Sequence, residues 1–226
     1  MSGMYRKWSG GTAVLSLIIW LVLTPFMATI WAYDNGRLIW ERQPLLVRAI
    51  GQWLAELGAF DFAAEEVVYF SYGRYFFLVY LLLIPTLMAL HSRYGGANKG
   101  QQRWYKILRS ALLIAGVGDL VSYGLGIFSE VLWRAGFGVE TLALVMVVVA
   151  TMGYSRSLHQ QPSAPRWLGW LLTIAAILVP AMFFERFLTA YWPNSPVLPL
   201  VLAWAIVGVH LLFHQQLPDQ NGNPPP

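Results

Sequence analysis

The sequence predicts an all-α membrane protein, a single bundle of six transmembrane helices. Of the 226 residues, 57% are hydrophobic and only 12% are charged, whereas ordinary soluble domains carry about 25% charged residues. The apolar residues cluster in runs of about 20, the length that crosses a hydrocarbon core. The lipid bilayer is therefore the first expected partner. Six runs have this character, at residues 11–32, 74–92, 108–128, 131–153, 167–190 and 196–214.

The first run predicts an uncleaved anchor rather than a signal peptide. Arg6 and Lys7 precede it, as they would in a signal peptide. However, the apolar run is longer than a signal h-region, and no A-x-A cleavage site follows it.

The distribution of Lys and Arg predicts that both termini are cytoplasmic. In that orientation the inner side holds the larger share of basic residues, as the positive-inside rule requires. These inner residues are Arg6, Lys7, Arg93, Lys99, Arg103, Lys106, Arg109, Arg156 and Arg166. The outer side holds Arg37, Arg42, Arg48, Arg74, Arg134 and Arg186.

The connection over residues 33–73 is the one long loop, and it falls outside. Pro44 is suited to the start of a helix over 45–60. Apolar residues recur there at helical spacing, at Leu46, Ile50, Trp53, Leu57 and Phe60. Such an amphipathic helix is expected to lie in the outer interface, to cap the bundle, or merely to pack on it. Its exposed face would also offer a docking surface to a protein partner. The single transmembrane domain then covers 1–217, and the polar, Pro-rich tail 218–226 is expected to be disordered.

Two carboxylates inside the predicted third and fourth spans form the candidate site. Asp119 and Glu140 each lie about ten residues from the turn near 128–131, so both reach a depth of about 15 Å at 1.5 Å per residue. A charge at such depth costs about 2.5–3.5 kcal/mol on insertion scales. Ionisable groups inside a membrane are functional by default, so the matched depth indicates a binding site.

Small residues share a helical face with each acid, which predicts that both acids point into the bundle. Ser122 and Tyr123 lie one turn from Asp119, within reach of a hydrogen bond to it. Two carboxylates this close in a low-dielectric site repel, unless one is protonated or a cation lies between them. The arrangement suits a proton, a cation, an amine or a polar head group. The alternative is structural, with a protonated acid bonded to a neighbouring helix. The two small faces are Ala115, Asp119, Ser122 and Gly126, and Gly136, Glu140, Ala143, Val147 and Ala150.

Two other groups of charged residues are secondary candidates. Arg134 is expected to pair with Glu130 at i−4 and to reach the outer surface. Glu185 and Arg186 lie near the outer end of the fifth span and read first as an interfacial anchor. Arg186 becomes a counter-charge for an anionic ligand only if that span is shifted outward by one turn.

His210 and His214 share one face of the sixth span at i, i+4, a spacing that can ligate a metal. No glutamate follows His210, so the zinc-protease pattern is absent, and haem would require a buried histidine. Interfacial imidazoles are the favoured interpretation. No metal site is predicted, and the sequence identifies no cofactor.

Several classes of function lack support. The chain has no cysteine, which excludes disulfides and thiolate chemistry. It has no nucleophile elbow and no P-loop. Its net charge of +4 comes from basic residues beside apolar spans, so a nucleic-acid partner is rejected.

Three hypotheses remain. In the first, Asp119 and Glu140 bind or translocate a cation, a proton or a polar small molecule. In the second, the chain is a non-catalytic accessory subunit that docks through 45–60. In the third, which is the least favoured because no nucleophile or metal motif accompanies the acids, it is an enzyme acting on lipid.

Overall fold

The computed structural model describes residues 3–34, 73–96, 98–189 and 195–213, and the secondary structure in these ranges is helical, without strands. The predicted helix over 45–60, most of the loop 33–73 and the tail 218–226 lie outside them. We number the helices α1 (Gly3–Asp34), α2 (Phe77–Leu81), α3 (Leu83–Tyr94), α4 (Lys99–Asp119), α5 (Glu130–His159), α6 (Arg166–Thr189) and α7 (Leu198–Phe213).

Three helical stretches are long and apolar enough to cross a membrane: Phe77–Tyr94, Lys99–Leu125 and Glu130–His159. Three shorter apolar helices accompany them, at Trp8–Thr24, Arg166–Met182 and Leu198–Phe213. The all-helical prediction is thus confirmed. The long helices extend beyond the predicted spans, since α4 begins at Lys99 rather than 108 and α5 continues to His159 rather than 153. Hydropathy, which predicts the spans, detects only the apolar part of a helix. The polar first turns of α4 and last turns of α5 are helical as well.

A break at Leu82 separates α2 from α3 within one apolar stretch. Pro85 follows three residues later and has no N–H to offer the carbonyl of Leu81. The interruption therefore lies beside the carbonyl that the proline leaves unbonded. Pro180, in contrast, lies inside an uninterrupted α6.

Helix α1 holds α2 and α7 in place through small and hydroxyl residues. The Ser16 hydroxyl donates to the Val79 carbonyl at 2.7 Å, immediately before Tyr80. A Cβ at Gly10 would lie 2.6 Å from the Gly208 carbonyl oxygen, so the backbones of α1 and α7 are nearly in contact. Close backbone approach at small residues is the usual means by which membrane helices associate.

Helices α4 and α5 form a hairpin whose facing sides are the two small-residue faces predicted from the sequence. All nine residues of those faces are buried. The opposite sides carry exposed apolar side chains, as lipid-facing surfaces do: Leu113, Ile114, Val117, Leu142, Val145, Met146 and Val149. Both acids are therefore buried inside the protein, on the predicted side of each helix.

Candidate functional site

Two glycines bring the backbones of α4 and α5 together beside the acids. A Cβ at Gly118 would lie 2.7 Å from the backbone nitrogen of Glu140 and 3.0 Å from the Gly136 carbonyl oxygen. A Cβ at Gly136 would lie 2.7 Å from the Gly118 carbonyl oxygen and would also collide with the backbone nitrogen of Ser122. Neither position has room for a side chain. This contact fixes Asp119, the residue after Gly118, beside the turn of α5 that carries Glu140.

Both acids are enclosed by protein. Asp119 is 0% exposed and Glu140 is 6% exposed. The two carboxyl groups and the Tyr80 hydroxyl lie within electrostatic range of one another. Neither carboxyl oxygen of Asp119 has a hydrogen-bond partner among the residues that the structure describes. A buried ionised carboxylate without a partner is strongly unfavourable, so Asp119 requires a proton or a bound positive charge.

Tyr80 completes the site, and sequence reasoning missed it. Its hydroxyl donates to Oε1 of Glu140 at 2.7 Å, and its side chain is 1% exposed. The sequence did carry a signal, because a tyrosine inside an apolar span must find a partner for its hydroxyl. What it could not show is that α2 packs against the α4–α5 hairpin with Tyr80 facing Glu140.

Ser122 and Tyr123 lie in the neighbourhood of Asp119 but do not hydrogen-bond it. The Ser122 hydroxyl donates across the hairpin to the Trp133 carbonyl at 3.2 Å. The Tyr123 ring is buried against Gly73, where a Cβ would lie 2.7 Å from its Cδ1 atom. Neither side chain makes the hydrogen bond to Asp119 that its place in the sequence allows. Helical spacing brings both residues near the acid, but the Ser122 hydroxyl bonds the Trp133 carbonyl instead and the Tyr123 ring packs against Gly73.

The reason for this difference is a change of helix type directly after Asp119. Residues Leu120–Leu125 form a π-helix, and Gly126–Phe128 form a 3₁₀ turn that ends at Ser129. An α-helical wheel therefore loses its register after Asp119. Short π-helical segments are rare and occur frequently at functional sites.

Removing the Tyr80 hydroxyl tests whether this bond holds the site together. Tyr80→Phe should lower the free energy of unfolding by about 1–3 kcal/mol, because a buried carboxyl oxygen loses its donor. Unfolding by denaturing detergent, followed by tryptophan fluorescence, measures the change. Tyr75→Phe is the matched control, since Tyr75 is half exposed on the neighbouring turn. Equal effects of the two substitutions would contradict the assignment.

The secondary charged candidates divide into one that the structure explains and two that lie outside its description. Arg134 forms the predicted ion pair with Glu130, and both side chains are well exposed. Such an exposed i, i+4 pair contributes about 0.3–0.5 kcal/mol. The backbones of Glu185 and Arg186 belong to α6, whereas their side chains lie outside the described part of the chain.

His210 is buried and engaged with aromatic residues. Its Nε2 atom lies 3.0 Å from the Tyr94 hydroxyl, and its ring meets the Trp167 ring edge-on at a centroid distance of 5.1 Å. His214, the second member of the predicted i, i+4 histidine pair, lies outside the described residues. Within the described ranges no group of three or more histidine, cysteine, aspartate or glutamate residues is arranged to hold a metal ion.

Comparison with protein-family models, with curated proteins and with solved structures finds no match for this chain. The candidate site is formed by Tyr80, Asp119 and Glu140, and we call it the acid pocket.

Proposed function

We propose that this protein is a six-span membrane bundle with cytoplasmic termini that binds a proton or a small inorganic cation at the acid pocket. The chain's Lys and Arg distribution supports the orientation. The apolar segments Trp8–Thr24 in α1, Arg166–Met182 in α6 and Leu198–Phe213 in α7 would supply the remaining three spans. Binding at this depth is the step that translocation of the same ion would require.

The observation that carries this proposal is the isolation of the Asp119 carboxyl group. It is fully buried, lies within electrostatic range of a second carboxyl group, and has neither oxygen hydrogen-bonded to a described residue. A structural acid would use its oxygens to bond a neighbouring helix, as Glu140 does with Tyr80. Asp119 does not, and its free oxygens are the kind of ligand that hard cations prefer.

The Tyr80 hydroxyl bonds only one of the two acids, which supports different roles for Glu140 and Asp119. It holds one oxygen of Glu140 and orients that carboxyl group. Asp119 is left to exchange a ligand. Two ionised carboxylates in a buried site repel each other. Binding one proton or cation between the fixed Glu140 and the exchangeable Asp119 relieves this repulsion.

The test separates the cation from the proton with two measurements on purified protein. The thermal unfolding midpoint is measured in sodium, potassium, calcium and choline chloride at equal ionic strength. A bound cation raises it, by the equivalent of about 2.7 kcal/mol at 100 times the dissociation constant. A bound proton instead gives the infrared carbonyl band of a protonated carboxylic acid.

The Asp119→Asn, Glu140→Gln double variant should lose whichever signal the natural protein shows. Glu130→Gln is the control, because it removes an acid that is exposed on the same helix. A natural protein with neither signal, or a double variant that keeps it, would refute the proposal.

A further inference from the structure

A groove on the first two turns of α4 carries three positive charges at one end of this long apolar helix. Lys99, Gln102, Arg103, Lys106 and Ile107 line it, and it is a shallow, open depression of about 350 Å³. These residues recur at i, i+3, i+4, i+7 and i+8, so they lie on one face of the helix. We call this surface the basic groove.

The charges of the basic groove are not compensated by the protein. Lys99, Arg103 and Lys106 are exposed, and within the described part of the chain none of them has an ion-pair or hydrogen-bond partner. Like charges three and four residues apart on a helix repel each other. The helix also begins here, with the Asn98 side chain accepting from the Gly100 N–H at 2.8 Å, so its positive dipole end adds to the same field. The groove therefore attracts an anion.

The position of the basic groove along α4 identifies the anion. Exposed apolar side chains begin at Leu113 and Ile114 and continue to Val117 and Leu120, so the groove lies just outside the apolar part of the helix. This is the depth at which lipid phosphates lie. Basic pockets in this position bind anionic head groups, which are concentrated in the cytoplasmic leaflet. The end of α4 that begins at Lys99 is on the cytoplasmic side in the proposed orientation.

We infer that the basic groove binds the head group of an anionic phospholipid. The three cations contact the phosphate, and the acyl chains lie along the exposed apolar face of α4. This site is separate from the acid pocket, at the other end of the same helix; it rests on the proposed membrane orientation and not on ion binding at the acids.

Native mass spectrometry of the full-length protein with equal amounts of phosphatidylglycerol and phosphatidylcholine tests the inference. The natural protein should retain phosphatidylglycerol at least about tenfold more than phosphatidylcholine, given the attraction expected of three basic residues. The Lys99→Gln, Arg103→Gln, Lys106→Gln variant should bring this ratio to about one. The control removes three other exposed cations, as Arg134→Gln, Arg156→Gln, Arg166→Gln, and should keep the preference.

The outcomes are distinct. Excess inorganic phosphate should leave the preference unchanged, because the acyl chains also hold the lipid; complete displacement would assign the groove to a soluble phosphate and overturn the inference. A natural protein with no preference, or a triple variant that keeps it while folded, would also overturn it. In that case an acidic protein segment becomes the occupant to seek. Every substituted side chain is exposed, so both variants are expected to fold. Circular dichroism verifies that they do.

Discussion

Gly136→Ala should prevent the α4–α5 hairpin from closing. The new methyl group would collide with the backbone of Ser122 and Gly118, and backbone cannot move aside by changing a rotamer. Overpacking of a core usually costs about 1–3 kcal/mol, and a clash with backbone is expected at or above the upper end. The free energy of unfolding in denaturing detergent, with the yield of monodisperse protein, measures the effect.

Gly138→Ala is the control for this prediction, two residues away on the same helix. A Cβ there meets no atom within 4 Å, so the protein should keep its stability or gain slightly from the better helix propensity of alanine. If Gly136→Ala behaved like Gly138→Ala, the close crossing of α4 and α5 would be wrong. The position of Asp119 beside Glu140 would then lose its basis.

Replacing each acid by valine should change stability in opposite directions. Asp119→Val removes a buried carboxyl group that has no hydrogen-bond partner among described residues. Replacement of buried charges by apolar groups is often stabilising, by about 1–4 kcal/mol, so a rise in this range is expected in cation-free buffer. Glu140→Val leaves the Tyr80 hydroxyl without its acceptor and opens a cavity, and should lower stability by about 2 kcal/mol or more.

The same unfolding measurement, made in choline chloride, compares the two valine variants with the natural protein. A stabilised variant without ligand binding would show that Asp119 is retained for function at a cost in stability. Destabilisation by both substitutions would instead mean that Asp119 has a structural partner, and would favour the structural interpretation of the acids.

Much of the hairpin could be predicted from residue spacing alone. The small residues around Asp119 and Glu140 recur at helical intervals, and small faces are where membrane helices meet. That rule located the buried face of both helices correctly, together with the exposed Arg134–Glu130 pair. It is a local rule, so it works wherever the α-helical period continues.

The remainder of the acid pocket depends on information that is not local. The partnership of Tyr80 with Glu140 joins residues 60 positions apart, and nothing in either span specifies which helix is the neighbour. The π-helical segment after Asp119 has no sequence signature, and it redirected Ser122 to the Trp133 carbonyl. The sequence does not distinguish Gly118 from the other glycines, because its role depends on the close approach of the α5 backbone.

The depth of Glu140 sets how strongly the acid pocket would respond to membrane voltage. Glu140 lies about 15 Å from Glu130, the first residue of α5, at 1.5 Å per residue. That distance is about half of a hydrocarbon core of about 30 Å. A monovalent ion entering from that end would experience about 1.2 kcal/mol per 100 mV at Glu140, half of the value for a full crossing. Occupancy would therefore change about sevenfold over 100 mV, an electrical sensitivity that comes from the placement of one residue along one helix.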